Sequence, residues 1–262
     1  MPEFAPLRLS ATLLCLTLTA CASQSTAPLG DHDRLMALAE QVRRGGDPAS
    51  AAALYERAVQ QGDDSPDLLR ALGETRLAAG DAAGAAEAFR DLLRQDDEDP
   101  QALLGLGTAE LQLGRFDRAV RTLEQAASAL GTAQAYNRLG TAQVLAGRFG
   151  DAQATYGTAI DQAPGDLDIR SNLALALALN DQADEAQRAI AAVARSPLAE
   201  PHHLRQQMLV LTLIGDEAGA AQALAGLPEQ DRLALLAEAR SIRQLDDPAA
   251  RARAIGLLTG AR

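Results

Sequence analysis

The sequence predicts an all-α solenoid built from helix-turn-helix units, and three observations carry that prediction. One unit recurs six times, with copies starting near His32, Pro66, Pro100, Ala133, Leu167 and Pro201, at intervals of 34 residues with one of 33. A fixed period of this size belongs to stacked helical pairs, because a single pair has an apolar stripe that it cannot bury alone. Within the period, one column is alanine in every copy: Ala51, Ala85, Ala119, Ala152, Ala186 and Ala220. A second column reads Gly46, Gly80, Gly114, Gly147 and Gly215, interrupted only by Asp181, and marks where the chain reverses between helices.

The fourth copy, Ala133 to Asp166, is the cleanest. Tyr136, Leu139 and Gly140 precede the break at Gly147, and Ala152, Tyr156 and Ala159 follow it before the stop at Pro164. Apolar and small residues three and four apart on both sides of the break predict two amphipathic helices. In the first helices Leu38, Leu72, Leu106, Leu139 and Leu173 are each followed by Ala or Gly. The second helices carry Tyr55, Phe89, Leu123, Tyr156, Ile190 and Leu224 four places after the alanine. Close helix crossing requires small residues, so the glycine of one helix is expected to face the alanine of the other, with the bulky residues filling the space between units. Asp47, Asp81 and Asp216 can cap the second helices, whereas Arg115 and Arg148 at the same place cannot.

These columns resemble the tetratricopeptide repeat (TPR), whose motif has an aromatic, a Leu-Gly pair, an Ala, a Phe-like residue and a Pro at these spacings. The resemblance covers about Asp31 to Leu227. It weakens in the sixth copy, where Gln207 and Met208 replace the Leu-Gly pair. The implied fold is a TPR superhelical solenoid of six helix-turn-helix repeats, residues 32–227, followed by C-terminal capping helices in residues 228–262. Helices are expected at Glu229 to Arg243 and at Pro248 to Leu258, with Ala250, Ala254, Leu257 and Leu258 as the stripe that covers the last apolar face.

The amino terminus is different in kind. In residues 1–20, Arg8 precedes the apolar run Ala11 to Leu18, which is too short for a membrane span and has the form of a secretory signal. The sequence Leu18-Thr19-Ala20-Cys21 resembles the lipobox of bacterial lipoproteins, which implies cleavage before Cys21 and a diacylglycerol on its thiol. Cys15 falls in the excised part, so no disulfide framework is expected. Ala22 after the cysteine implies sorting to the outer membrane, facing the periplasm, since Asp there retains such proteins in the inner membrane. Residues 21–31 read as the lipidated cysteine and a flexible tether.

Composition narrows the function. Aromatic residues are only 3 % of the chain although 47 % is hydrophobic, which suits helices packed on small side chains. The net charge of −11, with every basic residue an arginine, disfavours nucleic acid and anionic headgroups as partners. There is no nucleophile elbow, no phosphate-cradling glycine loop with lysine, and no cysteine beyond the anchor. His202 and His203 are adjacent at a helix start and are expected to point in two directions, a poor metal site. Neither an enzyme, a cofactor, a metal nor a small-molecule substrate is expected.

A groove remains as the candidate site. First helices line the inner surface of a TPR solenoid, and their residues not used for packing are Gln101, Leu104, Thr108 and Leu111 in the third copy. The fourth offers Asn137, Thr141 and Val144, and the fifth Asp168, Ser171, Leu175 and Leu179. This mixed surface without a charge cluster suits an extended peptide or a partner helix. Some TPR proteins grip a terminal carboxylate with Lys, Arg and Asn. Asn137 and Asn172 match that clamp, but His202 and Gln206 stand where its basic residues belong, so it is not expected here.

Copies four to six are also similar to the Flp pilus (tight adherence) assembly family TadD, on Ala135 to Gly140, Ser171 to Leu179 and Arg205 to Asp216. Gln206, Gln207 and Met208 depart from its pattern. The resemblance implies a lipid-anchored scaffold for protein partners, such as a secretin or another pilus or secretion component. A type IV pilus pilotin for a secretin, or a scaffold for envelope or polysaccharide assembly, would have the same features.

Overall fold

In the computed structural model, residues 31–259 are described, with side chains for 34–256. The expected signal, Cys21 and most of the tether therefore lie outside the described residues. Those described form fourteen helices and no strand. Six pairs follow the period: α1 (Asp31–Arg44) with α2 (Pro48–Gln60), α3 (Pro66–Ala78) with α4 (Ala82–Leu93), and α5 (Pro100–Gln112) with α6 (Phe116–Leu130). Then come α7 (Ala133–Leu145) with α8 (Phe149–Gln162), α9 (Leu167–Leu179) with α10 (Ala183–Ala194), and α11 (Pro201–Ile214) with the short α12 (Glu217–Ala223). The chain ends with α13 (Glu229–Arg243) and α14 (Pro248–Thr259).

The second helix of each pair packs on its partner and on the first helix that follows, and from α3 to α11 the odd-numbered helices also touch one another. That crowding on the odd side makes it the inner, concave face. The core is accordingly divided into five packets, each straddling neighbouring repeats.

All six column alanines are fully buried, and so are the six bulky residues from Tyr55 to Leu224. The nearest neighbours of the glycine column are the bulky residues. A methyl placed on Gly73 would come within 2.7 Å of the Phe89 ring, on Gly107 within 2.5 Å of Leu123, and on Gly140 within 2.7 Å of Tyr156. The bulky residue thus presses on the bare backbone of its own unit. Phe89 also presses on Gly105 of the following repeat, where a methyl would be 2.3 Å from the ring. Leu38 is 46 % exposed, unlike Leu72, Leu106 and Leu139, because among the described residues no repeat precedes it.

The turns follow from local chemistry. Glycines of the turn column have φ between 70° and 90°, and Asp181, which replaces one, is held at φ 57°. Asp47, Asp81 and Asp216 accept from the backbone N–H three residues on, at 2.9 to 3.0 Å, while Arg115 and Arg148 give their helices no side-chain cap.

The carboxy-terminal helices do different things. α13 covers the sixth repeat: Leu236, Ala239 and Ile242 are buried against it, and Arg240 and Arg243 pair with Glu217 at 2.8 and 3.1 Å. Arg243 also donates to the carbonyl of Thr212, near the negative end of α11. α14 packs on α13, and its Ile255 joins the same packet, but it does not stay at the end of the stack. It turns back along the concave face and packs against α7 and α9. Of its expected covering stripe, Ala250 is half-buried, Ala254 is half-buried against the packet shared by repeats five and six and α13, and the side chains of Leu257 and Leu258 lie outside the described residues; Ala252 and Ile255 are the buried positions.

Two stability outcomes follow. Gly107→Ala should lower stability by about 1 to 3 kcal/mol through overpacking onto Leu123, whereas Gly150→Ala, with open space at its Cβ, should be neutral or mildly stabilising; thermal melts of the two variants compare them. Arg115→Asp should add about 1 kcal/mol by supplying the missing cap at a backbone conformation (φ −90°, ψ 56°) close to that of Asp81, read as a raised denaturant midpoint.

Candidate functional site: the concave face of repeats four to six

The inner helices α7, α9 and α11 bring three amides into a row. Asn172 donates to Asn137 Oδ1 at 3.0 Å, and Gln206 donates to Asn172 Oδ1 at 3.4 Å. Beside them Thr141 hydrogen-bonds the Asn137 carbonyl at 2.9 Å and meets the Tyr156 hydroxyl at 3.2 Å. Burial pushes the Tyr156 phenol well above its ordinary pKa, so it stays protonated and serves only as a hydrogen-bonding group. Gln206 Oε1 is enclosed yet unbonded. With Val144, Leu175, Leu209 and the inward side of α14, these groups line a cleft of about 260 Å³.

Of the groove residues read from the sequence, Asn137, Thr141, Val144 and Leu175 line this cleft. Val144 is buried, however, in a packet that includes Ala252 of α14. Leu179 is buried in the same packet and is a packing residue, not a groove residue. Ser171 is fully enclosed as well, its hydroxyl without a partner. It is the counterpart of Asn137 one repeat on but is too short to reach out, and the amide comes one place later, at Asn172. In the third repeat Gln101 is exposed at the start of α5, and Leu104 and Leu111 are half-buried against the packet between repeats three and four. Thr108 turns its hydroxyl to the Leu104 carbonyl at 2.8 Å. These four do not join the cleft. Asn172 and Gln206, considered above only as clamp positions, are its central polar residues; their placement 34 residues apart in one column was the available signal.

At the edge of this face Asp168 meets the histidine pair. His202 Nε2 lies 2.7 Å and His203 Nε2 3.1 Å from the same Asp168 oxygen, so the two rings converge and do not diverge as their adjacency suggested. The three ligand-type atoms lie within 4.8 Å of one another. His203 Nδ1, however, accepts the backbone N–H of Glu200 at 2.9 Å. That bond places the proton of a neutral ring on Nε2, the atom a metal would need bare. Ligation would cost the helix its N-terminal bond, so the cluster is better suited to joining the fifth and sixth repeats than to holding an ion.

Tetratricopeptide-repeat models match residues 36–100, 76–141 and 143–209. The chain belongs to the tetratricopeptide repeat family. TPR folds are scaffolds for protein–protein interaction, and the concave face is the surface such stacks present. Among solved structures the chain is similar to PilW, described as a widely conserved type IV pilus biogenesis factor, with TM-score 0.67 and 20 % identity over 79 % of this chain and 98 % of that one. It is also similar to PilF of Pseudomonas aeruginosa, with TM-score 0.61 and 16 % identity over 80 % and 96 % of the two chains. A TPR protein from Parabacteroides merdae gives TM-score 0.68 and 14 % identity over 86 % and 92 %. No curated protein matches the sequence. At these identities the likeness is one of fold.

Asn172→Ala should strand the amides of Asn137 and Gln206 and cost about 1 to 3 kcal/mol, visible as a lower melting midpoint with helical content unchanged below it. A midpoint equal to that of the unaltered chain would mean that the amide row contributes nothing to holding the inner helices.

Proposed function

We propose that this chain is a non-enzymatic scaffold, anchored to the outer membrane through lipid on Cys21 and facing the periplasm, that holds protein partners while a Flp (tight adherence) pilus is assembled. The observation that supports a protein ligand is the composition of the cleft. Neutral amides from three successive inner helices, with the hydroxyls of Thr141 and Tyr156, sit beside apolar side chains, with no cluster of charge. Such a surface recognises main-chain amides and apolar side chains of a peptide or helix. The sequence resemblance to the TadD family in repeats four to six points to pilus assembly as the setting.

A second reading, a pilotin that escorts a secretin of a type IV pilus, draws support from the fold shared with PilW over nearly its whole length. The two readings differ in which secretin is held. Affinity capture from native membranes with the Cys21 protein should retain a secretin or another pilus component, and its identity separates them. Recovery of cytoplasmic proteins alone would count against both. The anchor has its own check: Cys21→Ser should move the protein from the membrane to the soluble periplasmic fraction, and mass spectrometry of the unaltered protein should find acyl chains on Cys21. An unmodified thiol there would remove the tether from the proposal.

A further inference from the structure

We infer that α14 is a releasable strap that occupies the ligand groove of its own chain, and that the natural ligand is a partner helix with small and apolar residues at i, i+3 and i+4 which takes its place. This rests on the reading of the concave face as a protein-binding groove. The occupant's chemistry is written in α14 itself. Ala252 and Ile255 are buried against the inner helices, and a methyl added to Gly256 would meet Leu145 at 3.2 Å, so three positions spaced as one helical stripe approach the groove wall. At the start of the helix a methyl on Gly147 would lie 3.1 Å from that of Ala249, which shows how closely α14 crosses the end of α7. Arg253 reaches the Leu145 carbonyl in the last turn of α7, where a cation is favoured, though at a long 3.4 Å.

Two features mark the helix as built to leave. Its amino-terminal N–H groups are capped from within its own hinge, by Asp247 to Ala249 and Ala250 at 2.9 and 3.1 Å. Arg251 and Arg253 likewise return to the hinge, to the Leu245 carbonyl at 2.7 Å and to Asp247 at 3.2 Å. Detachment therefore leaves the hinge-side backbone groups satisfied. The fit is also incomplete, since the cleft of about 260 Å³ remains under the helix, bordered by the unbonded Gln206 Oε1. That volume has room for several waters at about 30 Å³ each, or for a donor-bearing side chain of a better ligand. A tethered occupant acts at a roughly millimolar effective concentration, so a poorly filled contact keeps it displaceable.

The test uses the full chain and a fluorescein-labelled synthetic peptide of residues 246–262. The Ile255→Glu chain, whose own strap is expelled, should bind the peptide at least tenfold more tightly than the unaltered chain, measured by fluorescence anisotropy. Equal affinity for the two chains overturns the inference. Hydrogen–deuterium exchange on the unaltered chain gives a second reading that does not depend on how the variant folds: amides of α14 should exchange at least tenfold faster than those of α7 and α9. Exchange of all three at one rate also overturns it. Since the peptide comes from the chain itself, a failed exchange and a capture that finds no pilus component are separate results.

Discussion

The structure depends on one steric fact: within a repeat, a large side chain of the outer helix rests on a residue of the inner helix that has no side chain. Phe89 on Gly73, Leu123 on Gly107 and Tyr156 on Gly140 leave no space for even one methyl. The helices approach until ring or isobutyl group touches backbone, and that distance sets how closely the pair can sit. The fully buried alanine four places before each bulky residue follows from the same approach. Where the inner residue is Ala39 or Ala174, the unit still closes, because a methyl is the next smallest increment. Stacking is then the repetition of this contact, and Phe89 shows the link between units most directly by touching Gly105 across the boundary.

This explains which parts of the fold were legible in the sequence. A contact that tolerates only hydrogen or methyl leaves a column confined to Gly and Ala in the first five repeats, with Met208 in the sixth, and the turn leaves another, because most side chains avoid positive φ. Helix starts at Pro66, Pro100, Ala133, Leu167 and Pro201 were readable for the same reason, and even Asp181 keeps the left-handed turn that its column demands. What the columns could not report is rotation about a helix axis by one residue. Ser171 and Asn137 share a column, yet Ser171 is enclosed and Asn172 carries the amide into the cleft. Nor does a repeat period say how residues from different copies meet at its rim, so the convergence of His202 and His203 on Asp168 was not visible from their adjacency.

The position of α14 was hidden for a more general reason. Burial is non-directional: a short helix with Ala and Ile on one side satisfies any apolar surface of suitable width. Both the exposed end of the sixth repeat and the concave face offered one. α13 takes the first, helped by two arginines on Glu217 and by Arg243 at the end of α11. With that end covered, the remaining apolar surface within reach of a hinge as short as Gln244 to Asp247 is the groove. The choice is therefore made by exclusion and tether length, and neither leaves a pattern in the residues of α14.

A stack of repeats ordinarily couples only nearest neighbours, so strain in one unit fades along the array. α14 breaks that rule among the described residues. It follows the sixth repeat in sequence yet touches α7 and α9, and its Arg253 meets Leu145, 108 residues earlier. A chord drawn across the inside of a curved stack ties the angle between repeats four and six to whatever fills the groove. A ligand that replaces the chord with a thicker or longer helix must change that angle, because the packed units on either side are too dense to absorb the difference. Under the proposed exchange, occupancy of the groove and the angle between these repeats are one variable.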